Sequence, residues 1–383
     1  MTIECIRTHQ LRCELDEPFS YSQLRCGARE SLLVEMIADT GEVGWGECFG
    51  PAAVNQAAVA TVYAPKLLGR DPRQIDVHWH HMWQTTLDFA RRGVLMAAIS
   101  GIDMALWDLK GKLLNQPVSE LMGGRFRDQV HGYATGMYFR DLPDAALIDA
   151  LIAEASGYCE QGFRALKIKI GRNASFDRKL IEVMRQALPE MTLMADANHA
   201  YDLPEAIRIG RTLDEADFAW FEEPVSPEHP ELYRQLHEKL CVPLAGGECE
   251  QTRYGFQSLL ASGGVQFAQP DLAYCGGPSE ALKIRAVAAS HGINVVPHAW
   301  GTMVNLAAAT HFLATAYGEP GRAEAGELRL ECDRSPNPLR DEMFKTPLRI
   351  EGGIVDVPKG PGLGVVVDRS AMQSFRVQET ELR

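Results

Sequence analysis

The sequence contains no Cys-x-x-Cys pair. Its nine cysteines, at positions 5, 13, 26, 48, 159, 241, 249, 275 and 332, are odd in number and scattered. That spacing suggests neither a disulfide framework nor a thiolate zinc site, and the residues read as reduced cysteines of a cytoplasmic protein. The opening MTIECIRTHQ lacks the basic-then-apolar pattern of a signal peptide. Basic charge is also scarce: 38 Lys and Arg stand against 51 Asp and Glu, a net −13. This balance argues against nucleic acid or an anionic membrane as the main partner. Residues 286–318 carry no Asp, Glu, Lys or Arg. His291, Asn294, Pro297, His298, Asn305 and several glycines interrupt that run, so no spanning helix is expected. No Gly-x-Gly-x-x-Gly follows an early strand, and Pro361-Gly362-Leu363-Gly364 reads as a turn. What remains is a protein that handles a small molecule.

At 383 residues, with 46% hydrophobic and 23% charged side chains, the chain can bury a large core. The first ~125 residues read as α+β. "SLLVEMIAD" and "GEVGWGECFG" alternate like strands around a turn at Thr40-Gly41, and Leu95–Leu113 has helical spacing. From about Val130 short apolar strands alternate with amphipathic helices, the rhythm of parallel strands with crossover helices. Seven such strands and an eighth near Leu328–Glu331 predict an α/β fold, a (β/α)8-type barrel. The tail "GGIVDVPKGPGLGVVVD" is β-like again. The division expected is 1–127 as an α+β capping domain, 128–345 as the barrel, and 346–383 as a segment returning to the cap.

The barrel strands end in Lys169, Asp196, Glu222, Glu248, Asp271 and His298, with Glu331 after the eighth. One ionisable group thus stands at the C-terminal end of each of seven successive strands, where barrel active sites are built. Asp196, Glu222 and Glu248 converge as three carboxylates that repel one another unless a cation sits among them. An oxygen-only set selects Mg²⁺ or Mn²⁺ over zinc. In "RALKIKIG" residues i and i+2 share a face, so Lys167 and Lys169 stand together. Lys167 is expected to lower the Lys169 pKa toward that of a working base. Asp271 is expected to fix the tautomer of His298, leaving its other nitrogen free for proton transfer. A second metal motif competes: Val77-His78-Trp79-His80-His81 holds His-x-His. Ile75, Trp79, Met82 and Trp83 around it have helical spacing, so the strand that a zinc site of that type requires is missing.

The series "KIK" at 167–169, "DAN" at 196–198, "EEP" at 222–224, "GGE" at 246–248, "QPD" at 269–271, "PH" at 297–298 and Glu331 resembles the enolase superfamily, in its mandelate racemase subgroup, over essentially the whole chain. "VPHAWGT" and "DRSPNPLR" look like those of galactarolactone cycloisomerases and neighbouring acid-sugar dehydratases, whereas Cys249-Glu250-Gln251 and Tyr274 depart from them. The resemblance implies Mg²⁺ on Asp196, Glu222 and Glu248, with Lys169 and the His298–Asp271 dyad flanking the substrate. It implies that Lys167 takes part in catalysis and substrate binding, and that Glu331 donates a hydrogen bond to the substrate carboxylate. Asn198, Tyr21 and Trp300 are further substrate contacts, and loops around 19–27 and 47–52 close over them. The activity implied is α-proton abstraction from a carboxylate through an ene-diolate, leading to cycloisomerisation or dehydration of a sugar acid or its lactone. Racemisation of a small 2-hydroxy or amino acid derivative, a zinc hydrolase and a non-catalytic barrel are the alternatives. A homo-oligomer in the cytoplasm is expected.

Overall fold

The computed structural model describes residues 1–22, 24–318 and 328–383. Strands β1 (Ile3–Tyr21), β2 (Leu24–Ala38) and β3 (Val43–Cys48) form an antiparallel sheet, and the last strand, Arg376–Leu382, adds to its edge beside β1. The β2–β3 turn passes through Gly41 at φ 96°, a conformation glycine adopts without strain. The helix Val94–Leu113 lies against β3. A Cβ on Gly46 would come within 1.9 Å of the Gly101 carbonyl oxygen, so this close approach requires glycine. The His-x-His motif sits on the helix Ile75–Thr86. His78 is buried there with Nε2 2.7 Å from the Asp71 carbonyl oxygen, and His80 faces solvent. Two positions apart on a helix, these rings point in different directions.

The barrel runs through β4 (Gln129–Thr135), β5 (Ala165–Lys169), β6 (Thr192–Asp196), β7 (Phe221–Glu222), β8 (Leu244–Gly246), β9 (Phe267–Ala268), β10 (Asn294–Val295) and β11 (Arg329–Asp333). The sheet pairs β10-β9-β8-β7-β6-β5-β4 in order and β11 joins β4, all parallel. Outward residues such as Leu166, Ile168, Leu193 and Phe221 are buried beneath the helices. Each fully buried Leu or Ile contributes about 1.5–3 kcal/mol. The helices after β5 and β6 begin where side chains satisfy their first N–H groups: Asn173 accepts from Phe176, and Asp202 and Glu205 form a capping box.

Inside the barrel Tyr133, Ala165, Met194, Trp220, Ala245 and Val296 form a separate apolar plug. Side chains two residues apart on a strand share a face, so Lys167, Asp196, Glu222 and His298 stand directly above Ala165, Met194, Trp220 and Val296. The residues after 346 serve both parts of the molecule. The hairpin Ile350–Glu351/Ile354–Asp356 pairs with β4 of the barrel, whereas Gly362, Leu363 and Arg369 bond to Gln116, Asp108 and Glu35 of the N-terminal part and Arg376–Leu382 pairs with β1. Among the described residues no helix is long and apolar enough to cross a membrane.

Candidate active site

Strand register lines up the charged groups. Lys169 lies opposite Asp196, and Asp196 opposite Glu222. Asp196, Glu222 and Glu248 bring one carboxylate oxygen each within 4.8 Å of the others. Burial, with Asp196, Glu331 and Glu248 as like charges, pushes the Glu222 carboxyl up to about 8 despite Lys167. Trp220 Nε1 and Gln269 Nε2 hold its Oε2 at 2.9 and 2.7 Å. Three clustered carboxylate oxygens, two of them on fully buried side chains and one of those driven to retain a proton, fit a hard divalent cation that would relieve the repulsion.

Lys167 is fully buried, with Nζ 2.5 Å from Glu222 Oε1 and 2.9 Å from Glu331 Oε1. It does not line the cavity at the mouth and sits among the carboxylates beneath it. Lys169 does line that cavity, hydrogen-bonded to Asp196 and, at 2.9 Å, to Asn198 Oδ1. Lys167 does act to lower the Lys169 pKa, as expected, but the pKa does not come down to that of a working base. Burial works in that direction, yet the Asp196 carboxylate outweighs it and the pKa rises above the ordinary lysine value.

His298 enters from the other side. Its Nδ1 is 2.6 Å from Asp271 Oδ2, whose Oδ1 accepts from Ala273 N at 2.7 Å and Asn305 Nδ2 at 3.1 Å. Burial would lower the His298 pKa, but Glu248, Glu331 and the Asp271 hydrogen bond raise it to about 10. Glu331 accepts from Ala299 N at 3.2 Å. Burial would raise its pKa, yet Lys167 and His298 bring it down to about 2. The lysine beneath it thus favours its ionised form, in which it accepts hydrogen bonds.

Tyr21, Phe49, Tyr138, Lys169, Asn198, Glu248, His298, Trp300 and Glu331 enclose the cavity. Tyr21 and Phe49 come from the two expected loops, of which position 23 lies outside the described residues. Mutual hydrogen bonds between Ser20 and Phe139, at 2.7 and 2.8 Å, dock the end of β1 on the barrel. Glu47, at the end of β3, accepts from Ser31 Oγ, Thr302 N and Oγ1, and Asn305 N at 2.7–3.1 Å. Arg29 stacks 4.5 Å above the Trp300 ring. Tyr138, Trp220 and Arg29 were not singled out from sequence, and Gln269 and Glu47 entered only as members of the QPD motif and the 47–52 loop. Strand parity could have found Trp220 and Gln269, each two residues before a charged group.

Residues 3–123 match the family described as mandelate racemase / muconate lactonizing enzyme, N-terminal domain. Residues 150–371 match enolase C-terminal domain-like. D-galactarolactone cycloisomerase of Agrobacterium fabrum is 43% identical over 380 residues, covering 99% of this chain and all of that protein. The crystal structure of 3,6-anhydro-D-galactonate cycloisomerase from Zobellia galactanivorans superposes with a TM-score of 0.89 at 39% identity, over 99% of this chain and 100% of that one. An L-talarate/galactarate dehydratase mutant liganded with Mg and L-glucarate gives a TM-score of 0.87 at 28% identity, over 99% and 93%.

Proposed function

The chain belongs to the mandelate racemase / muconate lactonizing enzyme family of the enolase superfamily, and on that premise we propose that it is a Mg²⁺-dependent enzyme that removes the proton α to the carboxylate of a sugar acid or its lactone. Cycloisomerisation of a galactarolactone-like substrate is the preferred outcome, since the 43%-identical relative carries that name. Asp196, Glu222 and Glu248 would hold the ion. When bound, it supplies positive charge against the substrate carboxylate, which makes the adjacent C–H more acidic.

Lys169 and His298 approach a molecule in this cavity from strands on either side of the three carboxylates. One takes the α-proton and the other gives a proton to the opposite face, their roles set by the configuration of the substrate. Asn198 orients the Lys169 ammonium, and Asp271 orients the His298 ring. Lys167 offsets Glu222 and Glu331 from below. Tyr21, Phe49, Tyr138 and Trp300 exclude water and meet the hydroxylated part of the substrate. The observation that carries this reading is that Lys169 and His298 share one small cavity with Glu248, whose carboxylate clusters with those of Asp196 and Glu222.

The test is a screen of aldonic and aldaric acids and their lactones with Mg²⁺ in D₂O, followed by NMR. The expected result is loss of the α-hydrogen with ring opening or loss of water, the enol left by that elimination taking one solvent deuterium at the β-carbon as it becomes the 2-keto acid. No loss of the α-hydrogen from any of these compounds would overturn the assignment. Exchange without ring opening or water loss would favour the epimerase reading.

A further inference from the structure

Three side chains at the barrel mouth take no part in the chemistry above. Glu223 and Cys249 each directly follow one of the clustered carboxylates, Glu222 and Glu248, and His199 follows Asp196 by three residues. None of the three lines the Lys169–His298 cavity. They face one another instead: His199 Nε2 is 3.0 Å from Glu223 Oε2 and 3.6 Å from Cys249 Sγ, with one donor atom of each within 4.8 Å of the others. In a tetrahedral zinc site the bond lengths of about 2.0–2.1 Å to nitrogen, 2.0–2.2 Å to oxygen and 2.3 Å to sulfur give N–O and N–S edges of about 3.4 and 3.6 Å. The cluster already stands close to those separations.

A second observation is independent of the spacing. The Glu223 residue is 1% exposed, and neither carboxylate oxygen has a hydrogen bond among the described residues; its approach to His199 is close but off hydrogen-bond geometry. The Cys249 thiol, a weak donor, is its other close neighbour. A buried carboxylate so poorly supplied with donors is costly, and a cation bound between it and its neighbours removes that cost. The backbone holds the pair in place, since His199 N donates to Glu223 O at 2.8 Å. Cys249 is exposed, which provides a route in and leaves a fourth position open to solvent.

We propose that His199, Glu223 and Cys249 form a second metal site, taking one thiophilic divalent cation of the zinc type. Nitrogen and sulfur donors select such an ion over Mg²⁺, so the two sites differ in chemistry although they adjoin along the chain.

The experiment is a Co²⁺ titration of the full-length protein kept saturated with Mg²⁺, read by the near-ultraviolet thiolate-to-cobalt charge-transfer band. Cobalt that displaces Mg²⁺ from the carboxylates produces no such band, so this readout is independent of the proposed catalytic metal. The expected result is a band that saturates at one equivalent and is displaced by Zn²⁺. It is absent in Cys249→Ser, and His199→Gln needs at least tenfold more cobalt to form it. The proposal is overturned by no band in the unmodified protein, by a band of unchanged affinity in Cys249→Ser, or by unchanged affinity in His199→Gln. The histidine variant decides the matter alone should the serine variant fail to fold.

Discussion

Asp271→Asn tests the proposed proton chemistry while changing a single atom. Asp271 Oδ1 already accepts from Ala273 N and Asn305 Nδ2, and Oδ2 faces His298 Nδ1 at 2.6 Å. An asparagine placed there keeps its carbonyl oxygen toward the two donors and turns its NH₂ toward the imidazole. Nδ1 must then accept, so the ring proton moves to Nε2, the nitrogen that faces Glu248 at 3.6 Å across the cavity. A neutral His298 in that tautomer cannot take a proton from substrate. The shape of the site is unchanged, so binding should hold and KM should stay within about threefold. The loss falls on kcat, by on the order of 10²–10⁴, the size of a general base's contribution and of the analogous change in serine proteases. Loss of the Asp271 carboxylate also removes one of the influences that raise the His298 pKa, so the limb of the pH–rate profile belonging to His298 moves to lower pH. Steady-state kinetics across pH, together with α-proton exchange in D₂O, measure both effects. A variant with kcat within fivefold of the parent would refute the dyad.

EDTA should abolish turnover and Mg²⁺ restore it, whereas His78→Ala and His80→Ala leave the metal requirement unchanged; tight zinc at those histidines would count against the assignment. Lys169→Ala should lose turnover by at least 10²-fold, and His298→Asn should retain α-exchange with one epimer only; wild-type exchange of both epimers by Lys169→Ala would reduce that lysine to an electrostatic neighbour. Buried His311 accepts from Ser119 N at 3.2 Å through Nδ1, and burial brings its pKa down to about 4. The unfolded chain binds that proton near pH 6.5, so stability present above that value is lost as pH falls toward 4, by roughly 3 kcal/mol. Urea denaturation of His311→Gln from pH 4 to 7 should show a flatter acid slope, and an unchanged slope would remove His311 as the cause.

Much of this architecture was readable because strands impose a period of two. The sequence places Lys169, Asp196, Glu222 and His298 at successive strand ends, and parallel pairing can only bring such ends together at one mouth. The helix carrying His78 was legible for the same kind of reason, since Ile75, Trp79 and Met82 repeat at helical spacing and all are buried. What sequence concealed were effects of partners distant along the chain. Lys169 and Glu331 take their protonation from Asp196 and Lys167, which no local pattern reports. Glu47 meets Thr302 across 255 residues, and the 354–356 strand pairs with β4 more than 200 positions before it. Tyr138 closes the cavity from a loop with no periodicity to betray it.

The edge strand of the cap is made by residues 376–382, paired with the start of β1. A chain emerging from the ribosome therefore exposes one side of β1 until residues 376–382 have been made, and the closure joins Ile6 to Leu382. The strand–helix units of the barrel pair between neighbours along the sequence and can mature during that interval. The order of synthesis thus separates two acquisitions: the chemical groups are assembled first, and the sheet from which Tyr21 and Phe49 reach the cavity is completed last.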